Sequence, residues 1–198
     1  RRHLGCSVIG DDCERKLYYT YNWYTRRVLT GRILRLFDRG KREELPLVRD
    51  IRKCGVEVLD YDPKTHRQWT FRDPVYPALG GSADGITRGW FGNDAWIGLE
   101  IKTASAQKWR EFSRKGIEIV SPTYFGQVQS YMRLSHLPNS PCDPLNAFLE
   151  LVVNKDTDEL YAEIIPRDAA KGEEFYDKAV RVLEADRPED LYRISPTP

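Results

Sequence analysis

The stretch GGSADGITRGWFGNDAWIGLEIKT, Gly80 to Thr103, constrains this chain more than any other. Trp96, Ile97 and Gly98 lead into Leu99-Glu100-Ile101-Lys102-Thr103, so an apolar, β-prone run ends in an alternation of charge and hydrocarbon. Side chains alternate along a strand, which puts Glu100 and Lys102 on one face and Ile101 in the core. The apolar approach makes the strand central rather than peripheral. Asp84, in a turn-flanked strand upstream, adds a second carboxylate. Such a set is expensive to bury unless a divalent cation neutralises it, and hard oxygen donors suit Mg²⁺ or Mn²⁺. The bland alternative is an Asp-Gly turn and a Glu-x-Lys strand that both face water.

Around this stretch the pattern alternates between helix and strand. Leu17, Tyr18, Tyr21, Val28, Leu29, Ile33 and Leu36 recur at helical spacing, which predicts one or two amphipathic helices over 8–36, with Ser7 or Asp11 as cap. A further helix is expected over 38–53, closed by Gly55, with Pro46 forcing a start near Glu44 or a kink. Short strands follow at 56–59, 68–71, 83–87 and 97–102, read as a meander. Helices are expected at 105–115 and 124–136, a hairpin at 147–153 and 160–165, and a closing helix over 168–185. With no repeat and no linker, residues 1–198 are expected to form one domain.

Composition narrows the function classes. Mean hydropathy is −0.59, and no apolar run approaches the roughly 18 to 20 residues of a membrane span. Arg1 to Gly5 carry no apolar signal stretch, although a beginning at Arg1 leaves room for preceding residues, and a cytoplasmic protein is expected. Cys6, Cys13, Cys54 and Cys142 make no CxxC pair, so buried free thiols are expected rather than a zinc or redox site. The net charge of +1 hides a polarity: residues 1–54 hold 14 basic against 7 acidic side chains, and the remainder 17 against 23. A basic front half either lines a nucleic-acid groove or forms a solvated face. Lys108, Arg110, Arg114 and Lys115 cluster after the Glu-x-Lys strand and, with Lys41 and Arg42, are candidate phosphate contacts. Trp109 and Phe112 in that cluster fit base stacking or, more simply, the core. His3, His66 and His136 have no spacing that suggests a site.

Ser82-Ala83-Asp84-Gly85 followed by Glu100-Ile101-Lys102 resembles the metal-binding core of the PD-(D/E)XK nuclease superfamily. Gly40-Lys41-Arg42-Glu43-Glu44 resembles the helix motif of its lambda exonuclease and RecB-like branches, and Gln127-Val128-Gln129-Ser130-Tyr131 their QxxxY motif. LGCSVIGDDCERKLYY and LVVNKDTDELYAEII look like phage-encoded members, so the resemblance spans nearly the whole chain. Ala83 stands where the superfamily has its name-giving proline, and Pro46 follows Glu44 closely. Its iron–sulfur branch carries three cysteines near the carboxyl terminus; only Cys142 lies there, so no cluster is expected.

The resemblance implies an α/β fold with a restriction-endonuclease-like core, a central mixed sheet of about five strands flanked by helices. It implies Asp84, Glu100 and Glu44 as ligands of one or two Mg²⁺ ions, with Mn²⁺ able to substitute and the Ile101 carbonyl available. Lys102 would orient the attacking water, stabilise developing charge or accept a proton, three roles the sequence leaves open. Gln127 and Tyr131 would belong to the active site, and Ser7 and Arg15 would touch phosphate near a 5′ end. The implied activity is a Mg²⁺-dependent exonuclease acting 5′–3′ on duplex DNA ends. It would supply single strands for phage recombination or repair, with an annealing protein or recombinase as partner and a homo-oligomer as a possible assembly. Two alternatives share the residues: an endonuclease or flap nuclease on single-stranded or branched DNA, and an inactive DNA-binding module.

Overall fold

A computed structural model describes residues 3–24, 28–90 and 92–194; the expected helical stretch at 8–36 therefore falls partly outside the described residues. The order of elements is β1 (Leu4–Gly5), α1 (Cys6–Ile9), α2 (Glu14–Tyr21), α3 (Gly31–Lys53), β2 (Glu57–Leu59), β3 (Trp69–Arg72), β4 (Leu79–Ala83), β5 (Gly85–Arg88) and β6 (Ile97–Ala104). Then come α4 (Ala106–Lys115), α5 (Ile117–Val120), α6 (Pro122–Ser135), β7 (Ala147–Asn154), β8 (Leu160–Pro166) and α7 (Ala169–Glu184). Among the described residues no helix is long and apolar enough to cross a membrane.

Five strands form a mixed sheet in the order β2-β5-β6-β7-β8, parallel only between β6 and β7. Alternation fixes its two faces. Leu99 and Ile101 of β6 and Leu149 and Leu151 of β7 meet Val48 and Ile51 of α3 on one side. On the other, Ala104, Phe148 and Val152 join the larger core built on Val128, Tyr131 and Met132 of α6 and Phe175, Ala179 and Val182 of α7. The even-numbered residues of β6 and β7 therefore face α6. The expected five-strand mixed sheet flanked by helices is what forms.

The expected meander is instead two sheets. β1, β4 and β3 make a separate three-stranded sheet, and the stretch anticipated as one strand, 83–87, is the end of β4 and the whole of β5, parted at Asp84. The chain changes sheets there because Asp84 Oδ2 accepts the Ile101 N–H at 2.7 Å, taking the place of a strand partner beyond the last β5–β6 pair, Gly85–Leu99.

Pro46 neither starts nor ends a helix: α3 runs through it from Gly31 to Lys53. The proline is exposed, so water reaches the carbonyl of Arg42 that loses its helical donor. Ser7 and Asp11 are not caps: Gly5 precedes α1 and Cys13 precedes α2, neither with a side-chain cap bond, while Asp11 accepts the Cys13 N–H. The thiols are free, but only Cys6 is buried and Cys54 is exposed, on the C-terminal end of α3 where the chain turns through Gly55 at φ 83°. The first half of α3 leaves Leu34, Phe37 and Leu45 exposed, against the expectation of a fully packed apolar face.

Candidate active site

Glu100, Lys102 and Gln127 form one hydrogen-bonded unit between β6 and α6. The Lys102 ammonium donates to Glu100 Oε1 at 2.6 Å and to Gln127 Oε1 at 3.1 Å. Gln127 Nε2 donates to the same Glu100 oxygen at 2.7 Å and to the Tyr131 hydroxyl at 3.0 Å. Tyr131 in turn donates to the Ser82 carbonyl at 2.9 Å, tying α6 to β4 just before Asp84. Gln127 and Tyr131 share a helix face by their spacing of four. The tyrosine ring lies 5.5 Å from Phe71 and 5.7 Å from Phe148 between ring centres, and room for it comes from Gly81, where a Cβ would lie 2.8 Å from the ring.

This unit is buried, and burial sets its electrostatics. Desolvation pushes the Glu100 carboxyl up to about 7 and the Asp84 charge adds to it, while Lys102 and Gln127 pull the other way. Glu100 Oε2 is fully buried with no hydrogen-bond partner. Burial works against the Lys102 charge, yet the adjoining Glu100 carboxylate outweighs it and holds the ammonium above the ordinary lysine value. The Tyr124 ring centre lies 5.0 Å from that ammonium, a cation–π contact. Burial likewise raises Asp84, opposed by its bond from Ile101 and by Lys102. Glu44, half-buried on α3, is raised by burial and by the charge of Asp84, which brings it into the same electrostatic neighbourhood.

The structure thus gathers Asp84, Glu100, Lys102, Gln127 and Tyr131, with Glu44 at the rim. The side chain of Ile101 is in the core with α3, but its N–H meets Asp84; N–H and C=O of one strand residue leave on the same edge, so its carbonyl faces the gap where β5 has ended. Ser7 is exposed on α1, next to Cys6, whose buried thiol lies within the field of Glu100. Arg15 is away from this group, donating to the carbonyls of Leu191 and Glu189 at 2.9 and 3.1 Å. Lys41 and Arg42 lie exposed on α3, Arg42 paired with Asp38 at 3.3 Å. Lys108 pairs with Glu111 at 3.3 Å, while Arg110, Arg114 and Lys115 are exposed along α4. Phe112 is core, and Trp109 is half-buried with its indole N–H on the Val152 carbonyl.

Among solved structures, the chain is similar to the alkaline exonuclease LHK-Exo from Laribacter hongkongensis, with a TM-score of 0.60 at 18% identity over 91% of this chain and 86% of that one. The chain has a nuclease-like fold. LHK-Exo in complex with dAMP gives 0.61 at 18% identity over the same shares, 91% and 86%. SSO0001 gives 0.50 at 15% identity, over 95% of this chain and 79% of that one. No protein-family model and no curated protein matches the chain. At these identities the likeness is one of fold, and it agrees with the resemblance to the PD-(D/E)XK superfamily carried by Asp84, Glu100 and Lys102.

One residue of this nuclease-like fold escaped the sequence reading. Glu150 of β7 stands directly opposite Glu100, fully buried, with neither carboxyl oxygen bonded. Its signal was there: a single charge within AFLELVVN, a strand otherwise apolar up to its last residue.

Tyr131→Phe should report how much the network contributes to stability. The change deletes one donor to Ser82 and one acceptor for Gln127, both buried, and is expected to lower the unfolding free energy by about 1–3 kcal/mol in urea denaturation. An unchanged midpoint and slope would contradict that role.

Proposed function

We propose that this chain is a Mg²⁺-dependent exonuclease that hydrolyses phosphodiester bonds from the ends of duplex DNA, in the 5′–3′ direction. The observation that carries this reading is the buried Glu100–Lys102–Gln127 unit beside Asp84, set in a fold like that of an exonuclease that has been solved with a nucleoside monophosphate. The donors fit a hard divalent cation by type, since all are oxygens, and by the orphaned Glu100 Oε2. Among the described residues no three acidic, histidine or cysteine side chains close into a ready-made cage. That suits Mg²⁺, which binds through one or two carboxylates and keeps water or substrate oxygens on its other positions.

Asp84 and Glu100 would hold the ion, with Glu44 and the Ile101 carbonyl at its margin; bound there, it would lower the pKa of a water and stabilise charge on the phosphate. Lys102 stays an ammonium next to Glu100, which favours stabilising negative charge over accepting a proton. Gln127 orients that lysine and the carboxylate together, and Tyr131 anchors Gln127. Lys41, Arg42, Lys108, Arg110, Arg114 and Lys115, with Ser7 on α1, would contact the DNA backbone, and Arg15 joins them where it leaves α2. The single strands exposed would pass to an annealing protein or recombinase. Incubation with linear duplex DNA tests the reading: mononucleotides released with Mg²⁺ and none with EDTA are expected, and their absence in both would overturn it.

A pH dependence follows from the same burial. Desolvation raises Glu100 to about 7 and Glu150 to about 8, from an ordinary 4.5. The folded protein therefore keeps protons that the unfolded chain has already released, and these groups favour folding fully below about pH 4.5 and not at all once pH passes about 8. In EDTA, Tm is expected to fall between pH 5 and 8, and millimolar Mg²⁺ should restore more of it at pH 8 than at pH 5. A Tm that is flat across that window would contradict the assigned burial.

A further inference from the structure

Glu150 is a buried ionisable group with no part in the chemistry above. Folding alone gives it no reason to be there, because a carboxyl buried without partners is costly and an aliphatic side chain would suit this strand. Its position is specific. β7 runs parallel to β6 with Glu150 opposite Glu100 and Val152 opposite Lys102, so Glu150 and Lys102 are diagonal neighbours on the face covered by α6. Diagonal Cβ atoms across paired strands are roughly 7–8 Å apart, within reach of a lysine. Glu163, opposite Glu150 on β8, is already engaged by the Ile117 N–H at 2.8 Å and the Tyr161 hydroxyl at 2.7 Å. The cation whose charge acts on Glu150 is Lys102.

Lys102 now shares its charge with Glu100 Oε1. Once Glu100 serves a divalent cation, that oxygen no longer counters the ammonium, and two positive charges close together in a buried site repel strongly. We propose that Glu150 is a positioning residue that takes over the Lys102 ammonium when Glu100 engages a divalent cation, an inference that rests on the reading of Glu100 as a cation ligand. Glu150 touches neither DNA nor cation. It keeps Lys102 charged and aimed into the site, at a standing cost in stability.

Protein labelled with ¹⁵N-lysine, titrated with Mg²⁺ without DNA, tests this apart from activity, the Lys102 ammonium signal being assigned with Lys102→Arg. In the parent the signal should shift on Mg²⁺ addition and persist. In Glu150→Gln it should broaden beyond detection, while calorimetric Mg²⁺ affinity stays within about threefold of the parent. Outer partners of this kind are typically worth 10- to 100-fold, so the single-turnover rate on linear duplex should fall about that much with DNA affinity unchanged, and Glu150→Asp should recover part of it. Glu150→Leu should lose the same rate yet melt above the parent, which no packing role produces. Parent-like rate and lysine signal in Glu150→Gln overturn the proposal alone, as does Glu150→Leu melting below the parent with its Mg²⁺ affinity lost. A parent that takes up no Mg²⁺ overturns the cation reading of Glu100 and this proposal with it.

Discussion

Glu100→Gln protein is expected to degrade linear duplex DNA at least about 10³-fold more slowly than the parent in Mg²⁺, while remaining folded. The substitution keeps the shape and most of the hydrogen bonding of a side chain that is 3% exposed, and removes only its charge. It takes the negative charge from the oxygen bonded at 2.6 Å by Lys102 and from the buried, unpartnered Oε2 that a cation would use. An amide cannot serve as an anionic ligand, nor neutralise the neighbouring ammonium. Single-turnover kinetics beside a melting curve separate the two effects: a slow protein that melts cooperatively supports a chemical role. A protein as fast as the parent removes Glu100 from the mechanism.

The second large effect concerns stability. Gly10 follows α1 where that helix crosses α6, and a Cβ there would lie 2.2 Å from the Pro122 carbonyl oxygen and 2.6 Å from the Thr123 Cα. Both obstacles are backbone, so no rotamer change can relieve the clash. Gly126 faces it across the same crossing, where a Cβ would lie 2.8 Å from the Gly10 Cα. Gly10→Ala must push α1 off α6 and is expected to cost about 3 kcal/mol, a Tm fall of roughly 6–12 °C at this chain length. Because α6 carries Gln127 and Tyr131, nuclease activity should fall as well. A Tm within a degree or two of the parent would mean that the two helices are not in backbone contact.

Much of this site was legible because alternation is a strict rule. Glu100 and Lys102 had to share a face once the strand was recognised, and Gln127 and Tyr131 had to share one once the helix was. What escaped depended on tertiary partners. Residues 83–87 look like an unbroken strand, since nothing local says that Asp84 will spend its carboxylate on the Ile101 N–H and send the chain into a second sheet. Pro46 looked like a helix boundary because its cost was judged without knowing that the freed carbonyl faces water. Glu150 was visible as a charge in an apolar run, but its meaning came only from the parallel register that sets it against Glu100. Leu34, Phe37 and Leu45 show the reverse: helical spacing of apolar residues forecast a packed face, and the described chain has nothing covering them.

The central claim is that the Asp84, Glu100 and Lys102 site opens DNA from its ends. Linear duplex DNA labelled at either the 5′ or the 3′ end, incubated with Mg²⁺ or EDTA beside a closed circle of the same sequence, tests it most directly. The account predicts early, Mg²⁺-dependent loss of the 5′ label with the circle intact. A cut circle, or DNA bound but left whole in Mg²⁺, would contradict it.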